Sequence, residues 1–136
     1  MTYSIIFKSG TKGGTLNKRT KGTEMEQLAA EFLVQNDCSI ICSNYRCRLG
    51  EIDIIARDEK DKSIVFVEVK YRSSNNFGTP FEAVDFRKQT KIRNTAMYFM
   101  KEKRLSMESK VRFDVIGIMP YNGDSGYDIK LIKGAF

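Results

Sequence analysis

The sequence predicts an α/β domain, a mixed β-sheet flanked by α-helices. Three observations carry that expectation. Apolar residues recur at helical spacing between Met25 and Leu33, several later stretches alternate or are dense in β-branched residues, and their order is helix, three strands, helix, two strands without an internal repeat. With 136 residues, 41% of them hydrophobic and 29% charged, the chain suits one soluble domain with a real core.

The first 23 residues carry Lys8, Lys12, Lys18, Arg19 and Lys21 and no acid. Of the 23 basic residues in the chain, 18 then remain against 17 acids, so the net charge of +6 is concentrated at this end. Residues 1–21, with the Gly/Thr/Lys-rich run 9–15, are therefore expected to form a basic flexible arm that solubilises the chain or touches phosphates, and residues 22–136 the folded domain. Ile5-Ile6-Phe7 is apolar but lacks the remaining order of a secretory signal. No run approaches the roughly 20 apolar residues that cross a bilayer, so a cytoplasmic protein without a membrane partner is expected.

Thr23-x-x-Glu26 reads as a capping box at the start of a helix, whose buried stripe is Met25, Leu28, Ala29, Phe32 and Leu33. Asn36-Asp37 ends it. Ile40, Ile41 and Tyr45 suggest a first strand leading to the basic turn 46–50, with Cys38 and Cys42 on one strand face. In residues 50–56, alternation places Ile52 and Ile54 on one face and Glu51, Asp53 and Ile55 on the other. The polar turn 58–62 leads to residues 63–71, where Val65, Val67 and Val69 oppose Ile64, Phe66, Glu68 and Lys70. Thr79-Pro80-Phe81-Glu82 has the chemistry of a helix start, and the following helix either runs unbroken to about Glu102 or restarts at Asp85. Residues 111–118 and 127–131 alternate as strands around an Asn122-Gly123 turn.

The chain has no histidine, which excludes Ser-His-Asp and Cys-His catalysis and the commonest zinc ligand. Three cysteines at spacings unlike a zinc site read as free, partly buried thiols. Catalysis would have to use carboxylates, lysine or an oxygen-ligated metal. The hairpin formed by the second and third predicted strands supplies such a set. If its loop is even and centred between Lys60 and Asp61, paired positions sum to 121, Asp53 lies opposite Glu68 and Glu51 opposite Lys70.

Two opposed carboxylates repel unless a cation or proton lies between them, and a hard divalent ion often takes only one or two protein carboxylates. Lys70 on the same face is placed to act on water. Charges on one hairpin face are usually a solvated surface, but Asp53 lies among Ile52, Ile54 and Ile55, and Glu68 and Lys70 lie in an Ile/Val/Phe run. Such placement favours a site.

Asp53, fourteen intervening residues and then Glu68-Val69-Lys70 resemble the PD-(D/E)xK signature of restriction-endonuclease-like nucleases. More closely, residues 50–58, Val65-Phe66-Val67-Glu68-Val69-Lys70-x-Arg72, Phe77-Gly78-x-Pro80-x-Glu82-Ala83-Val84 and Arg112-Phe113-Asp114-Val115 resemble the YraN family, a bacterial group akin to Holliday-junction resolvases. The resemblance covers about residues 22–118. It implies a restriction-endonuclease-like fold, Asp53, Glu68 and the Val69 carbonyl as ligands of Mg²⁺ or Mn²⁺, Lys70 as the catalytic lysine, and Glu26 as an acid of the same site. The capping box is a competing and slightly favoured role for Glu26. The chain departs from the family where Met25 replaces a usual glycine and Asp37-Cys38 a usual Gly-Tyr pair.

Arg46, Arg48 and Arg72, at the strand ends, are candidate phosphate contacts. Lys88, aligned with Val84 and Ile92, is a further candidate facing the carboxylates, and Arg87 and Lys91 form a neighbouring stripe that is phosphate-binding or simply solvated. The expected function is metal-dependent endonucleolytic hydrolysis of DNA phosphodiesters, with branched DNA suggested by resemblance alone. The alternatives are a non-catalytic nucleic-acid-binding or recombination-partner module of the same fold, or a structural protein with incidental carboxylates. Action on two strands would favour a homodimer.

Overall fold

The computed structural model of the chain describes residues 2–7, 18–72, 84–121 and 126–136. Among these residues six strands form one mixed sheet: β1 (Thr2–Phe7), β2 (Cys38–Cys47), β3 (Gly50–Asp58), β4 (Ile64–Tyr71), β5 (Val111–Pro120) and β6 (Tyr127–Ile132). Their spatial order is β1-β6-β5-β4-β3-β2, and of these neighbours β4 and β5 alone run parallel. A parallel neighbour requires a crossover, and helix α2 (Phe86–Glu102) lies in that connection.

Helix α1 (Lys18–Gln35) covers one sheet face, packing on β2, β3 and β4, while α2 packs on β3 and β2. The helical stripe read from the sequence is the one α1 buries: Met25, Leu28, Ala29, Phe32 and Leu33 meet Ile54, Ala56, Val65, Val67, Ile116 and Ile118. On the other face Ile92, Ala96, Phe99 and Met100 of α2 meet Ile52, Ile55, Ile64 and Phe66. Phe32 and Phe99 are fully buried, each contributing about 2–3 kcal/mol of apolar transfer.

The structure corrects several expectations. Residues 1–21 are not wholly an arm: Thr2–Phe7 pairs antiparallel with β6, and residues 18–21 form the beginning of α1. Residues 8–17, the centre of the expected arm, lie outside the described residues. Because α1 begins at Lys18, Thr23 is already inside the helix and cannot be its N-cap, which removes the capping-box role of Glu26. Asp85 caps α2 with its Oδ1 accepting the Lys88 N–H at 2.9 Å, so this helix starts after Asp85. The suggested start at 79–82 and the Asn122-Gly123 turn lie outside the described residues.

Strand alternation breaks twice. A bulge at Ile41 shifts the β2–β3 register between Ile40 and Cys42, so Cys38 packs under α1 and Cys42 under α2 instead of sharing a face. In β3, Ile52 packs with the α2 cluster and Ile54 with the α1 cluster, so the two do not share a face either, and Asp53 sits at the inversion. All three cysteines are free thiols, with Cys38 buried.

At the β2–β3 turn, Gly50 has φ +153, and a Cβ built on it would lie 2.9 Å from Thr95 Oγ1. That hydroxyl is itself fixed, donating to the Lys91 carbonyl at 2.7 Å. Gly50→Ala is therefore expected to cost about 1–3 kcal/mol through backbone strain and displacement of Thr95, seen as a lower thermal midpoint.

The far end of the β3–β4 hairpin is held by charge. Arg112 donates from Nε and Nη2 to both oxygens of Asp114 (2.9 and 3.0 Å) and from Nη1 to Asp58 Oδ2 (3.0 Å). Lys133 lies 3.6 Å from the same Asp58 oxygen, and the Gly134 N–H donates to Asp114 at 3.0 Å. Asp58 and Asp114 are buried, so this cluster ties the hairpin turn, β5 and the C-terminal residues together.

Candidate carboxylate and lysine site

The register of the hairpin agrees with an even loop. Ile54, Ile55, Ala56 and Arg57 pair with Val67, Phe66, Val65 and Ile64, each pair summing to 121. The ladder stops there. At the next position the Val69 N–H donates to the Asp53 side chain, to Oδ2 at 2.8 Å, in place of a backbone carbonyl on β3. The carboxylate thus caps the edge of β4 that β3 no longer pairs, and this draws Asp53 alongside the Glu68-Val69-Lys70 segment.

Charge accumulates at this point. Burial pushes the Asp53 carboxyl up to about 7, helped by the negative charge of Glu68; the Val69 hydrogen bond pulls it back, Glu26 pushes it further up, and Lys88 pulls it down. Glu68 from β4 and Glu26 from α1 thus both act on Asp53 in β3. Glu68 is buried and forms an ion pair with Lys88 through Oε1 and Nζ. Burial would lower the Lys88 ammonium, but the hydrogen bond and charge of Glu68, with Asp53 and Glu51 behind them, hold it above the usual lysine value. Lys70 is shifted the other way, below its usual value, by burial and then by the charges of Lys88 and Arg72, against Glu68 and Asp85.

The other sequence-derived candidates divide. Arg46 lies 3.5 Å from Glu51 in an exposed pair, and both line a groove of about 540 Å³ with Gly50, Asp85, Arg87, Lys88 and Lys91. Glu51 thus belongs to the groove, and no β3–β4 pairing among the described residues sets it opposite Lys70. Arg48 lies apart, lining a neighbouring hollow with Leu49, Asn94, Met97, Tyr98, Lys101 and Glu102. Arg72 is exposed at the end of β4. Among the described residues no group of three or more acids or cysteines is arranged to hold an ion. Nor is any helix among them long and apolar enough to cross a membrane.

Sequence reasoning misses Asp85 as a neighbour of Lys70 and Lys88, because an acid just before a helix gives only a start signal. It also assigns no role to the charge cluster of Asp58, Arg112 and Asp114, although an Arg-x-Asp pair inside an apolar strand is itself a sign of buried pairing.

A model of the family described as "Uncharacterised protein family UPF0102" matches residues 25–118. The chain belongs to UPF0102. Relatives of the same name support this along almost the whole length. A UPF0102 protein of Lachnoclostridium phytofermentans is 43% identical over 121 residues, 89% of this chain and 96% of the relative. One of Caldicellulosiruptor bescii is 45% identical over 121 residues, covering 89% and 100%. A third, from Clostridium botulinum, is 44% identical over 115 residues, covering 85% and 92%. UPF0102 is the family that the sequence resemblance indicated. Its matched segment runs from within α1 to β5, and so includes Glu26, Asp53, Glu68, Lys70 and Lys88 but not β1 or β6.

Proposed function

We propose that this chain is a divalent-metal-dependent endonuclease with a restriction-endonuclease-like fold, hydrolysing DNA phosphodiester bonds. The observation that carries the reading is the hydrogen bond from Val69 to Asp53, which draws an aspartate against the strand that carries the buried Glu68 and the partly buried Lys70, where β3 and β4 part. Asp53 and Glu68 offer anionic oxygens, and the Val69 carbonyl a neutral one, of the kind Mg²⁺ and Mn²⁺ prefer. The upward shift of Asp53 comes first from burial and second from the charge of Glu68, and a cation bound between the two carboxylates would relieve the second of these.

When bound, such an ion supplies charge stabilisation at the phosphoryl group. Lys70 holds its proton less tightly than an exposed lysine, which suits a group that orients water and exchanges a proton with it. Glu26, relieved of helix capping, adds its charge behind Asp53. Arg46, Arg87 and Lys91 line the adjoining groove and would bind phosphates of the strand, and Arg72 lies at the end of the lysine-bearing strand.

A second reading, a non-catalytic nucleic-acid-binding or recombination-partner module, is favoured by one feature: Lys88 already satisfies Glu68 without a metal. Cleavage of synthetic junction, flap and duplex DNA with Mg²⁺ or Mn²⁺ separates the two. Lys70→Ala is expected to lose on the order of 100-fold or more in cleavage while keeping Mn²⁺ binding in calorimetric titration. Wild-type protein that binds DNA but cleaves none of these substrates would leave the binding module as the better account.

A further inference from the structure

Lys88 stands where positive charge is required before any metal arrives. Its ammonium is paired with Glu68, whose side chain is only 9% exposed, while its own side chain is half exposed. Asp53 and Glu51 also act on it. The residue hangs from the first turn of α2, and its backbone N–H is fixed by Asp85. A four-carbon stem can therefore carry the ammonium away from Glu68 while the helix stays in place. Lys88 already lines the groove that contains Arg46, Arg87 and Lys91, so a released ammonium has that space open to it.

We propose that Lys88 is a built-in counter-ion that competes with the divalent cation for Glu68 and, once displaced, turns its ammonium into the groove as an additional phosphate contact. This inference rests on the carboxylate site being a metal site. It makes metal occupancy and backbone binding cooperative: the ion releases a positive charge that the nucleic acid then uses, and by linkage the nucleic acid tightens the ion. It also accounts for the same pocket satisfying its charges internally and offering oxygen ligands, the feature that otherwise favours a binding module.

The test uses the full chain as wild type, Lys88→Met and Lys88→Gln. Calorimetric Mn²⁺ titration is expected to show Lys88→Met binding roughly fivefold tighter, the worth of one partly exposed ion pair, and Lys88→Gln tighter by a smaller factor. Melting temperatures without metal should fall in Lys88→Met and rise more steeply with added Mn²⁺ than in wild type. In parallel, binding of a labelled junction is followed across a salt series with and without Ca²⁺. The ion should steepen the salt dependence of wild type by about one phosphate contact and leave that of Lys88→Met unchanged. If wild type binds Mn²⁺ and both variants bind it equally or more weakly, the competition is refuted while the metal site stands. If none of the three proteins binds Mn²⁺, the metal site and the inference fall together.

Discussion

Replacing Arg112 by methionine is expected to destabilise the protein by about 3–5 kcal/mol, because it leaves the buried Asp58 and Asp114 carboxylates without the guanidinium that binds both. The loss should appear as a lower urea midpoint at neutral pH. Its pH dependence has a definite sign. Burial alone would raise the Asp58 carboxyl, but the Lys60 N–H, Arg112 and Lys133 together hold it below the ordinary aspartate value. A depressed carboxyl contributes stability that is present above its unfolded value, about 4, and is lost as pH falls through its folded value. Wild type should therefore lose stability in acid below about pH 4, whereas Arg112→Met should lose less, the two curves converging. A variant as stable as wild type at pH 7 would show that the cluster carries no net stability.

Asp53→Asn is expected to reduce metal-dependent cleavage by more than ~100-fold, since an amide is a poor substitute for an anionic ligand. Its effect on the metal-free fold should run in the opposite direction. A carboxyl raised to about 7 by burial and by Glu68 favours the folded state in its protonated form. Between the unfolded value near 4 and the folded value near 7 the native protein binds the extra proton, so stability rises as pH falls through this window and is lowest above it. The amide that replaces the carboxyl is neutral throughout, which should flatten that segment and leave the metal-free variant at pH 8 as stable as wild type or more so. Denaturation without metal at pH 5, 6, 7 and 8, with calorimetric Mn²⁺ titration, checks both halves. An Asp53→Asn protein that binds Mn²⁺ like wild type and is clearly less stable would make Asp53 a structural cap of β4 only.

The two substitutions act at opposite ends of one hairpin, and the sequence revealed the ends unequally. The register was legible only on condition of an even turn centred between Lys60 and Asp61; parity decides which residues can meet, and the four pairs that the ladder makes obey the even case. Burial of the α1 stripe followed from 3.6-residue spacing in the same way. What the sequence concealed depends on contacts distant along the chain. Strand β1 adds to β6 at the other end of the polypeptide, and nothing local in Thr2–Phe7 distinguishes it from an apolar patch in a tail. Thr23 and Glu26 imitate a helix start, but the helix was already under way. The inversions at Ile41 and Asp53 break an alternation that can only be assumed until a partner strand is seen. The pairing of Lys88 with Glu68 was foreseen only as a direction, since i+4 spacing gives a helix face and not its neighbour.

The bulge that separates Cys38 from Cys42 also governs how the sheet ends. Among the described residues β2 is the outermost strand on its side, and a straight strand of that length would present a row of unpaired N–H and C=O groups to any other extended chain. The extra residue at Ile41 interrupts that row, and Asn44, with φ +54, interrupts it again further along. An incoming strand could align with one short stretch but not with the next. Interruptions of this kind work against the in-register addition of further copies at an edge that carries an exposed Ile41.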